Sequence, residues 1–127
     1  VIDGTYNANL DSMLSSLAVL SKYPQRKIAV LADMLELGEF SDDLHYQTGE
    51  AVDKAQVDIL ICVGKASQKI IEGAKKTLIK QWFASNEEAL DYLKAVLKPK
   101  DIVLVKGSNS MRLKEIINGL KENEENE

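Results

Sequence analysis

The amino-acid sequence predicts an α/β protein, a three-layer sandwich built on a mostly parallel sheet of five to six strands. Three observations carry that expectation. Short, wholly apolar runs recur along the chain, each opening after a charged residue and closing at a polar residue or glycine, as strands buried on both faces do. Stretches between them show the three-and-four spacing of amphipathic helices. The two patterns alternate from end to end, which calls for a parallel sheet with right-handed crossovers and helices on both faces.

The elements follow in order. Val1-Ile2 reads as the end of a strand, so the chain is expected to be a piece of a longer protein. Leu10, Met13, Leu14, Leu17, Ala18 and Ser21 mark a core-facing helix stopped by Pro24. Ile28-Ala29-Val30-Leu31 is a buried strand. Leu44, Thr48, Ala51, Val52 and Ala55 mark the next helix, with Ser41 as its expected N-cap. Ile59-Leu60-Ile61-Cys62-Val63 is the clearest strand, and Ile70, Ile71 and Ala74 belong to a shorter helix. Lys80-Gln81-Trp82-Phe83-Ala84 is a weaker strand, with Trp82 and Phe83 expected to fill the core edge. Ser85-Asn86-Glu87-Glu88 has the form of a capping box, opening a helix that carries Ala89, Leu90, Leu93 and Leu97 and ends before Pro99. Ile102-Val103-Leu104-Val105 is the last strand, followed by a helix through Met111, Leu113, Ile116, Ile117 and Leu120. Residues 122–127 are an acidic tail expected to be disordered, which leaves 1–121 as one domain without repeat or linker.

Composition narrows the function. The 127 residues are 45% hydrophobic and 28% charged, enough for one self-sufficient core. A net charge of -4 argues against a nucleic-acid or anionic-membrane surface. No apolar run approaches the ~20 residues of a membrane span, and no basic-then-apolar leader is visible, so a cytoplasmic location is expected. One cysteine, Cys62, excludes an internal disulfide, and one histidine beside it excludes the usual zinc spacings.

Ligands of open parallel sheets sit at the carboxyl ends of the strands. Here those ends run into Asp3-Gly4-Thr5-Tyr6-Asn7-Ala8-Asn9, Asp33-Met34, Gly64-Lys65 and Lys106-Gly107-Ser108-Asn109-Ser110. Strand ends always meet polar turns, but these loops hold more carboxylate, amide, hydroxyl and lysine than turning requires. No G-x-x-x-x-G-K-[ST], G-x-G-x-x-G or G-x-S-x-G occurs, so the chain lacks a phosphate cradle and a nucleophile elbow. His45 reads as a packing or surface histidine, Cys62 as an inert core thiol, and the Met13-Leu14-Leu17 stripe as core. What remains is one part of a polar site.

Four segments, in order, carry a resemblance. Tyr6-Asn7-Ala8-Asn9-Leu10-Asp11-Ser12-Met13 resembles Y-N-A-N-P-D-S-M. The stretch Ala29 to Glu39 resembles V-L-G-D-M-L-E-L-G-E. Leu44-His45 with Gly49 matches L-H-x-x-x-G, and Val103 to Met111 resembles V-L-V-K-G-S-R-S-M. These are signatures of the Mur ligases, in the branch that joins D-alanyl-D-alanine to UDP-N-acetylmuramoyl-tripeptide. The resemblance implies a Rossmann-like C-terminal domain of a cytoplasmic, three-domain peptidoglycan precursor enzyme. The N-terminal domain would hold the UDP-sugar, and the central domain ATP and Mg2+. ATP would phosphorylate the tripeptide carboxylate, and the dipeptide amine would attack the acyl phosphate.

By the same resemblance, the ATP-side loop contributes Tyr6, Asn7 and Asn9, with Asp3 toward the ribose. Charge and location suggest Asp33 for the dipeptide ammonium, and Lys106 and Ser108 for its carboxylate or a phosphate. No catalytic residue and no metal ligand is expected in this domain alone, which should be inactive by itself. Three departures stand out: Gly4 where the family often has an acidic residue, Ala32 for glycine before Asp33, and Asn109 for arginine, which removes a bidentate clamp. Leu10 for proline only loosens the helix start. Another Mur- or folylpolyglutamate-type ligase is the neighbouring alternative. A phosphoacceptor receiver fits less well, because the third strand ends at Gly64 rather than an aspartate; a non-catalytic binding module is the remaining class.

Overall fold

Five parallel strands carry the apolar runs, in the spatial order β1-β5-β2-β3-β4. They are β1 (Ile2–Gly4), β2 (Lys27–Ala32), β3 (Ile59–Val63), β4 (Ile79–Phe83) and β5 (Ile102–Lys106). The helices are α1 (Leu10–Ser21), α2 (Ser41–Lys54), α3 (Gln68–Gly73), α4 (Asn86–Val96) and α5 (Lys114–Glu125), with a 3-10 turn over Gly38–Phe40. The computed structural model describes residues 1–4, 8–108 and 111–125, with side chains described to residue 121.

Strand alternation divides the core in two. Ala29, Leu31, Leu60, Cys62 and Leu104 face α1, α2 and α3, where Met13, Leu17, Val52 and Ile70 are buried. Ile28, Val30, Ala32, Ile61, Val103 and Val105 face α4 and α5, against Leu93, Ile116, Ile117 and Leu120. All five residues of β3 are buried, which is why its run reads as continuously apolar. Full burial of each such aliphatic side chain contributes about 1.5–3 kcal/mol.

Several local expectations change. Ser41 is the first residue of α2 and not its N-cap, because the 3-10 turn runs straight into the helix and Phe40 holds the cap position in helical conformation. Ser85 does cap α4, accepting from the Glu88 N–H at 3.3 Å. Trp82 lies on the edge strand and is 36% exposed, its indole Nε1 donating to the Gly64 carbonyl at 2.7 Å; only Phe83 turns inward, against Tyr92. Met111 precedes α5. That helix continues to Glu125, so backbone read as disordered tail from residue 122 is helical to that point; the glutamates there are compatible with helix, and composition alone could not place the end.

Helices α2 and α3 cross through glycine. A Cβ on Gly49 would lie 2.2 Å from the Ile70 carbonyl oxygen, and one on Gly73 2.1 Å from that of Tyr46. Any side chain at either position would hold the helices apart.

Candidate functional site

Asp33 follows the last residue of β2 at the carboxyl edge and is 8% exposed. Its Oδ1 accepts from the Ser67 N–H at 2.8 Å. Gly64, at φ +104°, makes room for the carboxylate: a Cβ there would lie 2.6 Å from Oδ1 and 2.7 Å from Oδ2. No residue but glycine fits that conformation and that space easily.

The backbone around Asp33 is pinned at three successive points. The Asp33 carbonyl accepts from the Ser108 N–H at 3.1 Å. The Met34 N–H donates to His45 Nε2 at 3.0 Å, and the Leu35 N–H to Ser108 Oγ at 2.9 Å. Because Nε2 accepts, the proton of the ring sits on Nδ1, which donates to the Ser41 carbonyl at 2.7 Å. His45 is fully buried, a packing histidine that also orients the loop after β2. Ser67 Oγ donates to the Gly64 carbonyl at 2.8 Å, the same acceptor that takes Trp82 Nε1, and so fixes the turn after β3.

Lys106 ends β5 opposite Gly4 and Leu31 and is 6% exposed. Its aliphatic stem lies over Gly4, where a Cβ would meet Cγ at 3.0 Å, so a side chain at position 4 would press on the lysine. Burial lowers its pKa from the ordinary lysine range. Ala32, the departure from glycine before Asp33, is fully buried on the α4–α5 face, and its methyl occupies the space beside Gly107, where a Cβ would lie 2.7 Å away. Cys62 is buried behind the site, and burial, with the Asp33 charge second, holds its thiol well above the usual range.

Of the ATP-side set, the two described residues, Asp3 and Asn9, bond partners other than Asp33. Asp3 is paired with Lys114 Nζ at 2.5 Å, in register with Val105, whose side chain faces the α4–α5 layer. Asn9 is the N-cap of α1: its Oδ1 accepts from the Ser12 N–H at 2.9 Å, and its own N–H donates to Ser12 Oγ at 3.0 Å. Tyr6, Asn7 and Asn109 lie outside the described residues. Among the described residues, no group of three or more His, Cys, Asp or Glu could hold a metal ion, and no helix is long and apolar enough to cross a membrane.

Sequence reasoning missed the cavity beside Asp33. It opens at the ends of β2 and β3 with a volume of about 610 Å³ and is lined by Asp33, Asp42, Lys65, Ala66, Gln68, Lys69 and Glu72. The signal available was Gly64-Lys65 at a strand end; the α2 and α3 residues read only as solvated helix surface. Asn86 was also missed. Its Nδ2 donates to the Met111 carbonyl at 2.8 Å, tying the start of α4 to the chain that follows the β5 loop.

The chain is similar to known proteins. The family model described as "Mur ligase, glutamate ligase domain" matches residues 1–109. UDP-N-acetylmuramoyl-tripeptide--D-alanyl-D-alanine ligase of Escherichia coli K12 is 34% identical over 97% of this chain and 27% of its own length. The Bacillus subtilis enzyme of the same name is 32% identical over 96% of this chain and 28% of its own. Crystal structure II of MurF from Acinetobacter baumannii superposes with a TM-score of 0.84 at 29% identity, covering 93% of this chain and 27% of that one. MurF ligase from Thermotoga maritima in complex with ADP gives 0.79 at 26% identity, covering 93% and 27%. The chain spans about a quarter of the length of the curated relatives it matches.

Proposed function

The chain belongs to the Mur ligase family through its glutamate ligase domain, and from that premise we propose that it is the C-terminal domain of a cytoplasmic ligase. That enzyme joins D-alanyl-D-alanine to UDP-N-acetylmuramoyl-tripeptide at the expense of ATP. One observation carries the proposal: three of the family segments converge on the short stretch of backbone that carries one carboxylate. The D-M-L-E-L-G-E segment supplies Asp33, L-H-x-x-x-G supplies His45 and the Gly49 crossing, and K-G-S supplies Ser108. Motifs separated by up to 75 positions in sequence thus build one fixed acceptor at the mouth of a cavity.

The domain's task in this reading is positioning. Asp33 accepts from the ammonium of the dipeptide and orients the nitrogen that will attack. Lys106 and Ser108 stand at the end of β5 for the oxygens of a phosphate or of the dipeptide carboxylate. Tyr6, Asn7, Asn9 and Asp3 form the ATP side; Asp3 must exchange Lys114 for a ribose hydroxyl to take part. The residues present do not fit Mg2+ or a triphosphate by themselves. The sequence has no phosphate loop, and the described residues have no metal-capable cluster. Those groups are assigned to a central domain outside this chain, as the UDP-sugar is to an N-terminal one.

The test is phosphate release by the full-length enzyme, which should require UDP-N-acetylmuramoyl-tripeptide, ATP-magnesium and D-alanyl-D-alanine together. The chain alone should release none. Half a site leaves a ligand open to water on its other side, where charged groups hold it weakly. Turnover by the isolated chain, or a full-length enzyme indifferent to the dipeptide, overturns the proposal.

A further inference from the structure

The cavity beside Asp33 carries charge that folding does not use. Of its two lysines, Lys69 is already paired with Glu72 at 3.0 Å along α3. Lys65, directly after Gly64, is exposed, and its ammonium meets no carboxylate among the described residues. Asp33 is the opposite case, nearly buried and held by the Ser67 N–H. The cavity lining therefore holds both an oriented anion and an uncommitted cation. Asp42, on the first turn of α2, adds a second negative charge to the lining and acts on Lys69. A small zwitterion matches this arrangement: an ammonium at one end, a carboxylate at the other. In an extended dipeptide the two ends are about 6–7 Å apart, and 610 Å³ is ample for such a ligand.

We infer that the cavity takes the incoming dipeptide as its zwitterion, with Asp33 receiving the ammonium and Lys65 the free carboxylate. Lys65 is then a specificity residue: it makes the ligase demand a free C-terminal carboxylate on the molecule it adds. The assignment rests on the ligase reading above and sharpens it. Lys106 is the weaker candidate for that carboxylate. It is 6% exposed, its stem is packed over Gly4, and it does not line the cavity. Its place at the end of β5 leaves it for the phosphate side.

The experiment is a substrate–mutant cycle on the full-length ligase. Wild type, Lys65→Ala and Lys65→Arg are each assayed with D-alanyl-D-alanine and with its C-terminal amide, which keeps the amine and lacks the carboxylate. In wild type, the amide should raise KM about tenfold, the size of one lost charge-assisted hydrogen bond. Lys65→Ala should raise KM for the free acid by a similar factor. It should leave KM for ATP and for the UDP-tripeptide within experimental error, and it should show no further penalty with the amide. Lys65→Arg should retain most of the preference for the free acid. Lys65 lies on the surface, so folding is not at stake. The inference is overturned if Lys65→Ala leaves the dipeptide KM unchanged, or if the two penalties add instead of cancelling. A wild-type enzyme that does not ligate the dipeptide at all overturns the underlying reading as well, and that result is distinct from the other two.

Discussion

The two ends of the sheet use the same residue types in opposite ways. At the amino end, each carboxylate is turned onto its own protein. Asp101 accepts from Arg26 Nε at 3.0 Å, from Nη2 at 2.6 Å and from the Lys98 N–H at 2.8 Å, while Nη2 also reaches the Val96 carbonyl. Asp58 accepts from the Lys27 N–H at 2.8 Å. Asp53 closes the α3–β4 connection, taking the Lys76 and Thr77 N–H groups and the Thr77 hydroxyl. At the carboxyl end, the Asp33 carboxylate takes one N–H, that of Ser67, and stands at the wall of a cavity with an uncommitted lysine in its lining. The difference is one of satisfaction. The amino-end carboxylates gather donors from the turns they close, whereas Asp33 keeps accepting capacity toward open space, as the proposed binding role requires.

Helix α2 joins the two ends, with His45 gripping the Asp33 loop near its start and Asp53 gripping the α3–β4 turn near its finish. Gly49 lies between them at the crossing with α3, so breaking it should damage both ends together. Gly49→Ala places a methyl carbon 2.2 Å from a backbone oxygen that cannot rotate away. The expected loss is about 3 kcal/mol or more, a fall in thermal midpoint of roughly 10 °C or more. A melt indistinguishable from wild type would show that the helices can slide apart freely, and would remove Gly49 from the account of both ends.

Asp101→Asn separates the ends by striking only the amino one. With Asp101 almost fully buried and its guanidinium partner half-buried, the loss should be about 2–3 kcal/mol of stability. Ligation by the full-length enzyme should be unchanged. The pH dependence has a definite sign. The Arg26 hydrogen bond, ahead of burial, which opposes it, holds the Asp101 carboxyl below its usual value. Its stabilisation is therefore complete above the unfolded-state value near ~4 and is lost as pH falls through the lower folded value. The gap between wild type and variant, followed by urea titration, should be constant near neutrality and close only in acid. A gap that closes on raising the pH from neutrality would contradict the assignment.

Legibility follows the same division. Strands β2, β3 and β5 could be read from sequence because burial on both faces leaves an unbroken apolar run, and β4 was dim because an edge strand needs no such run. Trp82 looked like core for its size, but its partner is a carbonyl at a loop end, which no periodicity encodes. Asp33 and Ser108 were visible as polar residues at strand ends. That Ser108 bonds Leu35, 73 positions earlier, was not, since only the sheet order brings β5 beside β2. His45 was read as a packing or surface histidine; its hold on Met34 is likewise a product of tertiary contact. The cavity was missed because its lysines and carboxylates lie on helix surfaces, where charge is the ordinary composition.

Asp33→Asn is the mirror of Asp101→Asn. The amide oxygen can still accept from the Ser67 N–H, and the shape is nearly the same. Stability should change by less than about 1 kcal/mol. The kcat/KM of the full-length ligase for the dipeptide should fall at least about tenfold, because a neutral amide no longer attracts an ammonium. Were the variant to unfold more easily while ligating normally, Asp33 would belong with the amino-end carboxylates and the contrast between the ends would fail.

Asn9 tests the boundary of the comparison, because it stands at the carboxyl end but is engaged in the amino-end manner. Its Oδ1 and its backbone N–H complete a reciprocal cap with Ser12 at the start of α1. That is a sufficient structural reason for an asparagine there, and losing it in Asn9→Ala should cost about 1 kcal/mol. Serine caps a helix about as well as asparagine, so Asn9→Ser should restore the lost stability. The side-chain amide nitrogen has no counterpart in serine. If it donates to ATP in the assembled enzyme, KM for ATP should stay raised by several-fold in both variants, and that is the expected result. The two readouts are a thermal melt of this chain and ATP saturation of the full-length ligase. Recovery of both in Asn9→Ser would make Asn9 a helix cap alone. Recovery of the melt without the KM would place one amide in both roles, its oxygen building the helix and its nitrogen facing the nucleotide.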